Sequence, residues 1–320
     1  MILVVGGAGY IGSHFVEELI NEKEVLVLDN LSTGHRNSVH KNAGFIEGSL
    51  GDAQLLDTIF NNYRIEAVIH FAAFSLVGES VINPIKYYEN NVSSTLVLLE
   101  AMVKHGINKI IFSSTAAIYG TPNVDLITEK TPSNPISPYG RSKLMIEWML
   151  QDFAKSYDLH YVILRYFNAA GAHPSGRIGE NHTPETHLIP LVLEHLLGSR
   201  DNIFVYGKDY PTVDGSCIRD YIHVSDLADA HLQSLNALLD YRVKNEIFNL
   251  GTGLGYSVLE VINACENVTK QKASIIIKER RDGDPAKLVA EAKKIEELIG
   301  WKPKFSLNSI VETAWKWHSK

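Results

Sequence analysis

Ile2-Leu3-Val4-Val5-Gly6-Gly7-Ala8-Gly9-Tyr10-Ile11-Gly12-Ser13-His14 opens the chain: an apolar run, glycines at 6, 9 and 12, then the first turn of an amphipathic stretch. The placement carries more than the spacing. When a buried strand feeds a glycine turn that opens a helix, Gly6 permits the tight turn, Gly9 lets the backbone approach a pyrophosphate, and Gly12 lets helix and strand pack closely. The helix start adds unpaired N–H groups and positive potential. Asp29 closes the next apolar run, twenty residues beyond Gly9. A carboxylate there accepts hydrogen bonds from both hydroxyls of an adenosine ribose and repels a 2'-phosphate, so the pattern selects NAD over NADP.

Outward from this turn, runs rich in Val and Ile at 2–5, 25–28, 67–71, 109–112 and 161–164 alternate with helical patterns. That order predicts an α/β fold, a doubly wound parallel sheet of the Rossmann type with its ligand at the carboxyl ends of the strands. The character changes after Asn168. Residues 171–185 are rich in turn formers, 188–197 carry a helical pattern, and 203–206 read as a short strand. The expected division is an NAD-binding domain at 1–170 and a smaller α+β substrate domain at 171–320, with segments such as 247–250 able to return to the first sheet.

Composition narrows the class. The chain has 320 residues, 45% of them hydrophobic, and a formal net charge of -7 with no run of Lys and Arg, which argues against nucleic acid or an anionic membrane as partner. Cys217 and Cys265 form no CxxC pair, and the thirteen His show neither HExxH nor a Cys/His grouping of ligand spacing, so no metal is expected. Met1 runs directly into the first apolar segment and no 18-residue apolar stretch follows, so the expected compartment is the cytoplasm, which suits two unpaired cysteines.

A second constellation lies at 135–143. Pro135 and Pro138 break the chain before a helical pattern that continues through Phe153, placing Tyr139 and Lys143 one turn apart on one helix face. A free tyrosine has a pKa of about 10, too high for a base at neutral pH, but a nearby ammonium and a cationic nicotinamide both favour the phenolate. Tyr139 is thus a candidate proton acceptor. On an isolated helix such a pair would be solvated decoration. Here Ser113, Ser114 and Thr115 end a buried strand at the same carboxyl edge, where one hydroxyl can meet a substrate oxygen and the others can cap turns.

These residues, with the blocks at 29–34, 69–73, 77–80, 87–92, 112–120, 165–176 and 219–224, resemble the extended short-chain dehydrogenase/reductases, and within them the NAD-dependent epimerases of nucleotide sugars. The resemblance runs nearly end to end. It implies that Tyr139 takes the proton from a sugar 4-hydroxyl as hydride leaves C4 for bound NAD. The hydride then returns to the other face of a 4-keto intermediate, inverting C4 without net redox change. The implied pair is UDP-glucose and UDP-galactose, with UDP-N-acetylglucosamine or UDP-glucuronate as the alternative UDP-sugar. Lys143 is implied to bind the nicotinamide ribose and lower the Tyr139 pKa, and Thr115 to position the 4-oxygen. The implied cofactor residues are Gly6, Gly9, Tyr10, Ile11, Gly12, Asp29, Asn30, Ser49, Leu50, Phe71, Ala72, Val77, Asn91, Ser113, Tyr139, Lys143 and Tyr166. The implied substrate residues are Thr115, Tyr139, Asn168, His187, Leu188, Tyr206, Arg219, Arg281, Asp284 and Leu288, the two arginines matching diphosphate oxygens.

Departures from the family pattern carry expectations of their own. Ser49 stands where relatives usually place an Asp that meets the adenine amino group, so adenine should be held more loosely. His187 replaces an Asn near the sugar or uracil ribose, and Leu288 flanks the sugar's 2-substituent, where a side chain of intermediate size favours the free sugars. A 4,6-dehydratase needs an acidic pair after the strand-end hydroxyl, and Ala116 and Ala117 stand there. A non-catalytic NAD-binding module would have no use for both Tyr139 and Lys143. The apolar faces of 92–104 and 144–153 resemble those that pair relatives into a homodimer through a four-helix bundle.

Overall fold

The structure is a computed structural model that describes residues 1–281 and 283–320. The first half contains strands β1 (Ile2–Val5), β2 (Val25–Asp29), β3 (Gly44–Glu47), β4 (Ala67–His70), β5 (Lys109–Thr115) and β6 (His160–Tyr166). They are linked by helices α1 (Tyr10–Leu19), α2 (Ala53–Asn62), α3 (Val77–Ile82), α4 (Pro84–Tyr87), α5 (Ser94–Lys104) and α6 (Pro138–Ser156). The second half adds β7 (Asn168–Ala170), α7 (Leu188–Leu196), β8 (Ile203–Tyr206), β9 (Ile218–His223), α8 (Val224–Leu239) and β10 (Glu246–Leu250). It ends with β11 (Gly255–Ser257), α9 (Val258–Thr269), β12 (Ile275–Lys278), β13 (Lys287–Leu288), α10 (Lys293–Ile299) and α11 (Leu307–His318).

The main sheet has seven strands in the order β10-β6-β5-β4-β1-β2-β3, all parallel. Its central strands read as unbroken apolar runs because both faces are covered. Successive side chains supply opposite layers. Ile2 and Val4 join Phe15, Leu19, Ala228 and Leu235 beneath α1 and α8, while Leu3 and Val5 join Leu56, Leu98, Met102 and Ile146 beneath α2, α5 and α6. The order reverses at β1, between β4 and β2, which opens a crevice at the carboxyl ends of β1 and β4. There the Val5 carbonyl accepts the N–H groups of Phe71 (2.8 Å) and Ala72 (3.1 Å), fixing the loop after β4 against the glycine turn.

Segment 246–250 does return to the main sheet, where β10 pairs with β6, and α8 packs on the same side as α1. The rest of the second half builds its own core from Ile189, Leu193, Val205, Val261, Ile310 and Val311. Its sheet, with β9 between β11 and β13 and with β7 also on β9, faces the crevice.

Candidate active site

The glycine turn is built as an open cradle. Gly6 has φ +82°, and a Cβ on it would lie 2.5 Å from the Ala72 nitrogen. At Gly12 a Cβ would strike the Gly6 carbonyl oxygen, so the helix could not approach the strand. Gly9 differs: a Cβ there would find nothing nearer than the Gly6 oxygen at 3.4 Å, and no side chain caps the start of α1. The first-turn N–H groups are left to whatever lies in front. Beside them the buried Asp29 accepts from Ala8 N–H (Oδ2, 2.9 Å) and Leu31 N–H (Oδ1, 2.8 Å). Burial pushes its pKa up and the two backbone bonds pull it down. Each oxygen keeps a further lone pair, enough for two ribose hydroxyls.

A cavity of ≈ 400 Å³ runs from this turn to the second half. It brings together Gly6, Gly9, Tyr10, Ile11, Gly12, Asp29, Asn30, Leu50, Phe71, Ala72 and Val77 with Thr115, Tyr139, Lys143, Tyr166, Asn168, His187, Arg219 and Leu288. Seven expected residues do not line it: Ser49, Asn91, Ser113, Leu188, Tyr206, Arg281 and Asp284. Their side chains have other partners. Asn91, buried in a π-helical turn (Tyr88–Ser93), bonds the Phe74 N–H, the Phe74 carbonyl and the Ser142 hydroxyl, so it fixes the loop after β4. The Ser49 hydroxyl accepts from Gly51 N–H at 3.1 Å, and Leu188 packs into the second core. The Arg281 guanidinium lies 3.9 Å above the Tyr206 ring, and Asp284 stands 3.4 Å from Arg219. Arg219 also donates to the Ile218 and Pro285 carbonyls, which fixes its guanidinium beside Leu288, its register partner on β13.

The three strand-end hydroxyls divide their work. The Ser113 hydroxyl pairs with His231 Nε2 at 2.9 Å, and that of Ser114 donates to Glu147 Oε1 at 2.5 Å. Of the three, only Thr115 lines the cavity beside Tyr139, and its hydroxyl accepts the Ala117 N–H at 3.1 Å. Ser137 caps the start of α6 through Gly140 N–H, with Pro138 as its first residue, and this sets Tyr139 and Lys143 on the cavity side. Lys143 Nζ donates to the Ser113 carbonyl at 2.7 Å, and burial lowers its pKa to about 7. The expected lowering of the Tyr139 pKa is not a property of the protein alone. Burial pushes the phenol up, opposed by the Thr115 hydrogen bond, so a phenolate here requires a cation in the cavity.

Behind this row, Glu147 on α6 takes a two-pronged bond from Arg165 on β6, Nε to Oε1 at 3.0 Å and Nη2 to Oε2 at 2.5 Å. Arg165 also donates to the Tyr119 hydroxyl, which donates to Asn249 on β10. One buried network therefore ties α6, β5, β6 and β10 together beneath the reacting groups.

Sequence reasoning passed over Glu180 and His182, which line the same cavity. Their signal is local, an E-x-H-x2-E-x-H run at 180–187 that neither HExxH nor Cys/His spacing describes. In it His187 meets Glu180 and Glu185. Burial works against a proton on His187, but the two carboxylates outweigh it and push its pKa up to about 10.

A glycine cradle for a dinucleotide, joined by one cavity to a Tyr/Lys/Thr triad and a fixed arginine, is the site of a nucleotide-dependent redox enzyme. The model of the NAD dependent epimerase/dehydratase family matches residues 2–251, and the chain belongs to that family. Within it the chain is 53% identical to a UDP-glucose 4-epimerase of Halalkalibacterium halodurans, over 100% of this chain and 96% of that protein. A crystal structure of a UDP-glucose 4-epimerase superposes with a TM-score of 0.97 at 50% identity, covering 99% of this chain and 97% of that one. The UDP-glucose 4-epimerase of Bifidobacterium longum, solved with NAD+ and UDP, gives a TM-score of 0.93 at 41% identity, over 99% and 98%. Among the described residues no helix is long and apolar enough to cross a membrane.

Proposed function

We propose that this chain interconverts UDP-glucose and UDP-galactose by inverting C4 of the sugar, with NAD as its resident cofactor. The observation that carries the reading is the Tyr139–Thr115 pair, set between the glycine cradle and the Arg219/Leu288 wall of one cavity. Bound NAD would supply a reversible hydride acceptor, so a 4-hydroxyl can become a 4-keto group and return with no net redox change. Gly6, Gly9 and Gly12 would admit the pyrophosphate, Asp29 the adenosine ribose, and Lys143 the nicotinamide ribose. Tyr139 accepts the 4-hydroxyl proton and gives it back, while Thr115 fixes the oxygen that loses and regains it. Arg219 meets the diphosphate of the nucleotide.

Purified protein given UDP-galactose and no added NAD is expected to form UDP-glucose without lasting NADH absorbance. Stoichiometric accumulation of reduced nicotinamide would instead identify a net dehydrogenase. A 4-keto-6-deoxy product would identify a dehydratase, for which Ala116 and Ala117 offer no acid. Leu288 favours the free sugars, so UDP-N-acetylglucosamine is expected to turn over more slowly than UDP-glucose.

The same reading includes a cytoplasmic homodimer. Cys217 and Cys265 are buried and unpaired, as suits a reducing compartment. Leu96 and Val103 on α5 and Met145 and Trp148 on α6 are exposed, Trp148 to 55%, although α5 and α6 each bury their opposite face in the first core. Two helices from each of two copies would cover them in a four-helix contact. Light scattering should report twice the chain mass of 35.6 kDa, falling to one chain for Trp148→Glu.

A further inference from the structure

The loop between β7 and α7 turns one donor atom each of Glu180, His182, Glu185 and His187 toward a common point, all four atoms within 4.8 Å of one another. His187 Nδ1 is 2.9 Å from Glu180 Oε1 and 3.0 Å from Glu185 Oε1. His182 Nδ1 is 3.3 Å from Glu180 Oε1 and 3.6 Å from Glu185 Oε2. A tetrahedron with metal–ligand bonds of about 2.0–2.1 Å has edges of roughly 3.3–3.4 Å. We propose that this loop binds one zinc ion through His182 Nδ1, His187 Nδ1 and the carboxylates of Glu180 and Glu185.

Hydrogen bonding alone accounts for the cluster poorly. A single proton on His187 Nδ1 serves one acceptor along one in-plane direction, but this nitrogen stands equally close to two carboxylates. The Glu180 side chain is only 3% exposed, and its Oε1 has no hydrogen-bond partner despite the two imidazole nitrogens within 3.3 Å. His182 Nδ1 is buried and unpartnered in the same way. Orphaned buried donors and acceptors are costly, and here they point at one another across an empty centre. An ion at that centre satisfies all four, which protons cannot do together.

The donor set selects the metal. Two imidazoles and two carboxylates suit zinc, whereas calcium and magnesium favour oxygen ligands alone. Four protein ligands leave no open position, so the site is structural and takes no part in bond making. Backbone bonds support it: Glu185 Oε1 also accepts the N–H groups of Thr186 (2.7 Å) and His187 (2.8 Å). The ion would fasten the loop directly before α7, whose first residue is Leu188, and so fix one wall of the cavity.

The geometry stands on protein atoms alone. Its electrostatic consequence rests on the activity proposed above. Metal binding replaces the imidazole protons, and one dication then balances the -2 of the two carboxylates beside a cavity that must accept a diphosphate.

The test uses full-length protein stripped of metal by a chelator that is then removed. Calorimetric titration with zinc chloride is expected to give one ion per chain, with a rise in melting temperature complete at one equivalent. Cobalt(II) loaded in its place should show the intense visible bands of a tetrahedral site. Glu185→Gln and His182→Ala are each expected to weaken zinc binding by about 100-fold or more, since each removes a direct ligand. Wild-type protein that takes up no zinc at stoichiometric concentration overturns the proposal, because protonated imidazoles would then balance the charge. Zinc affinity in both variants equal to that of the wild type overturns it too. The wild-type titration decides even if a variant does not fold, and zinc uptake is read without turnover, so loss of the epimerase reading leaves this result intact.

Discussion

Tyr139→Phe is expected to lower kcat by about 10²–10⁴-fold, the range that a positioned acid–base group contributes, while the protein keeps its fold and its NAD. The ring stays where it packs and only the hydroxyl beside Thr115 is lost, a change of about 1 kcal/mol in stability. Retained turnover would remove Tyr139 from the chemistry. Its environment explains why no other group can substitute. Burial favours the neutral phenol, and Lys143, one of whose N–H groups donates to the Ser113 carbonyl, has its own pKa lowered by burial. The proton-accepting form therefore depends on positive charge arriving with the oxidised nicotinamide. The base is armed only when the hydride acceptor is present, which couples the two transfers. UDP-galactose turnover and NAD content, measured on the same preparation, check both halves.

Glu147→Gln is expected to cost about 3–5 kcal/mol of stability, as removal of one partner of a buried ion pair does. Glu147 is fully buried and Arg165 nearly so, and the substitution leaves the guanidinium charge without its counterion. The amide oxygen can still accept from Ser114, but the amide NH2 now faces Arg165 Nη2, donor against donor, one strand residue behind Thr115, so turnover should fall along with stability. The midpoint of urea unfolding reads the first effect. An unchanged midpoint would show that Arg165 finds adequate compensation from Tyr119. Replacing both partners by apolar residues of like volume should recover much of the loss, since the pair contributes placement more than net stability.

The sheet was legible because strands covered on both faces are apolar through their length, and 2–5, 67–69 and 110–112 are. The glycine turn was legible because sterics dictate it residue by residue. Side-chain direction was less so. Asn91 sits in a block that matches the family and Ser49 at a departure from it, and in both cases local bonds turn the side chain elsewhere, onto Phe74 and Gly51. Spacing shows a lysine one turn from Tyr139 but not how deeply both are buried, and that burial is what pushes the phenol up in the protein without cofactor. Glu147 carries no motif in the sequence, and only the approach of β6 reveals its partner 18 positions on. Glu180, His182 and Glu185 escaped because loop donors converge through backbone turns that no fixed spacing encodes.

The pairing of β10 with β6 has a further consequence, for how the chain is made. The strand that completes the sheet beside Tyr166 is synthesised some eighty residues after β6, once much of the second half has left the ribosome. Until then β6 is a bare apolar edge, open to any passing strand. A nascent chain halted near residue 170 is therefore not half an enzyme waiting for its other half. It carries an open sheet edge that only the long-range pairing with β10 closes.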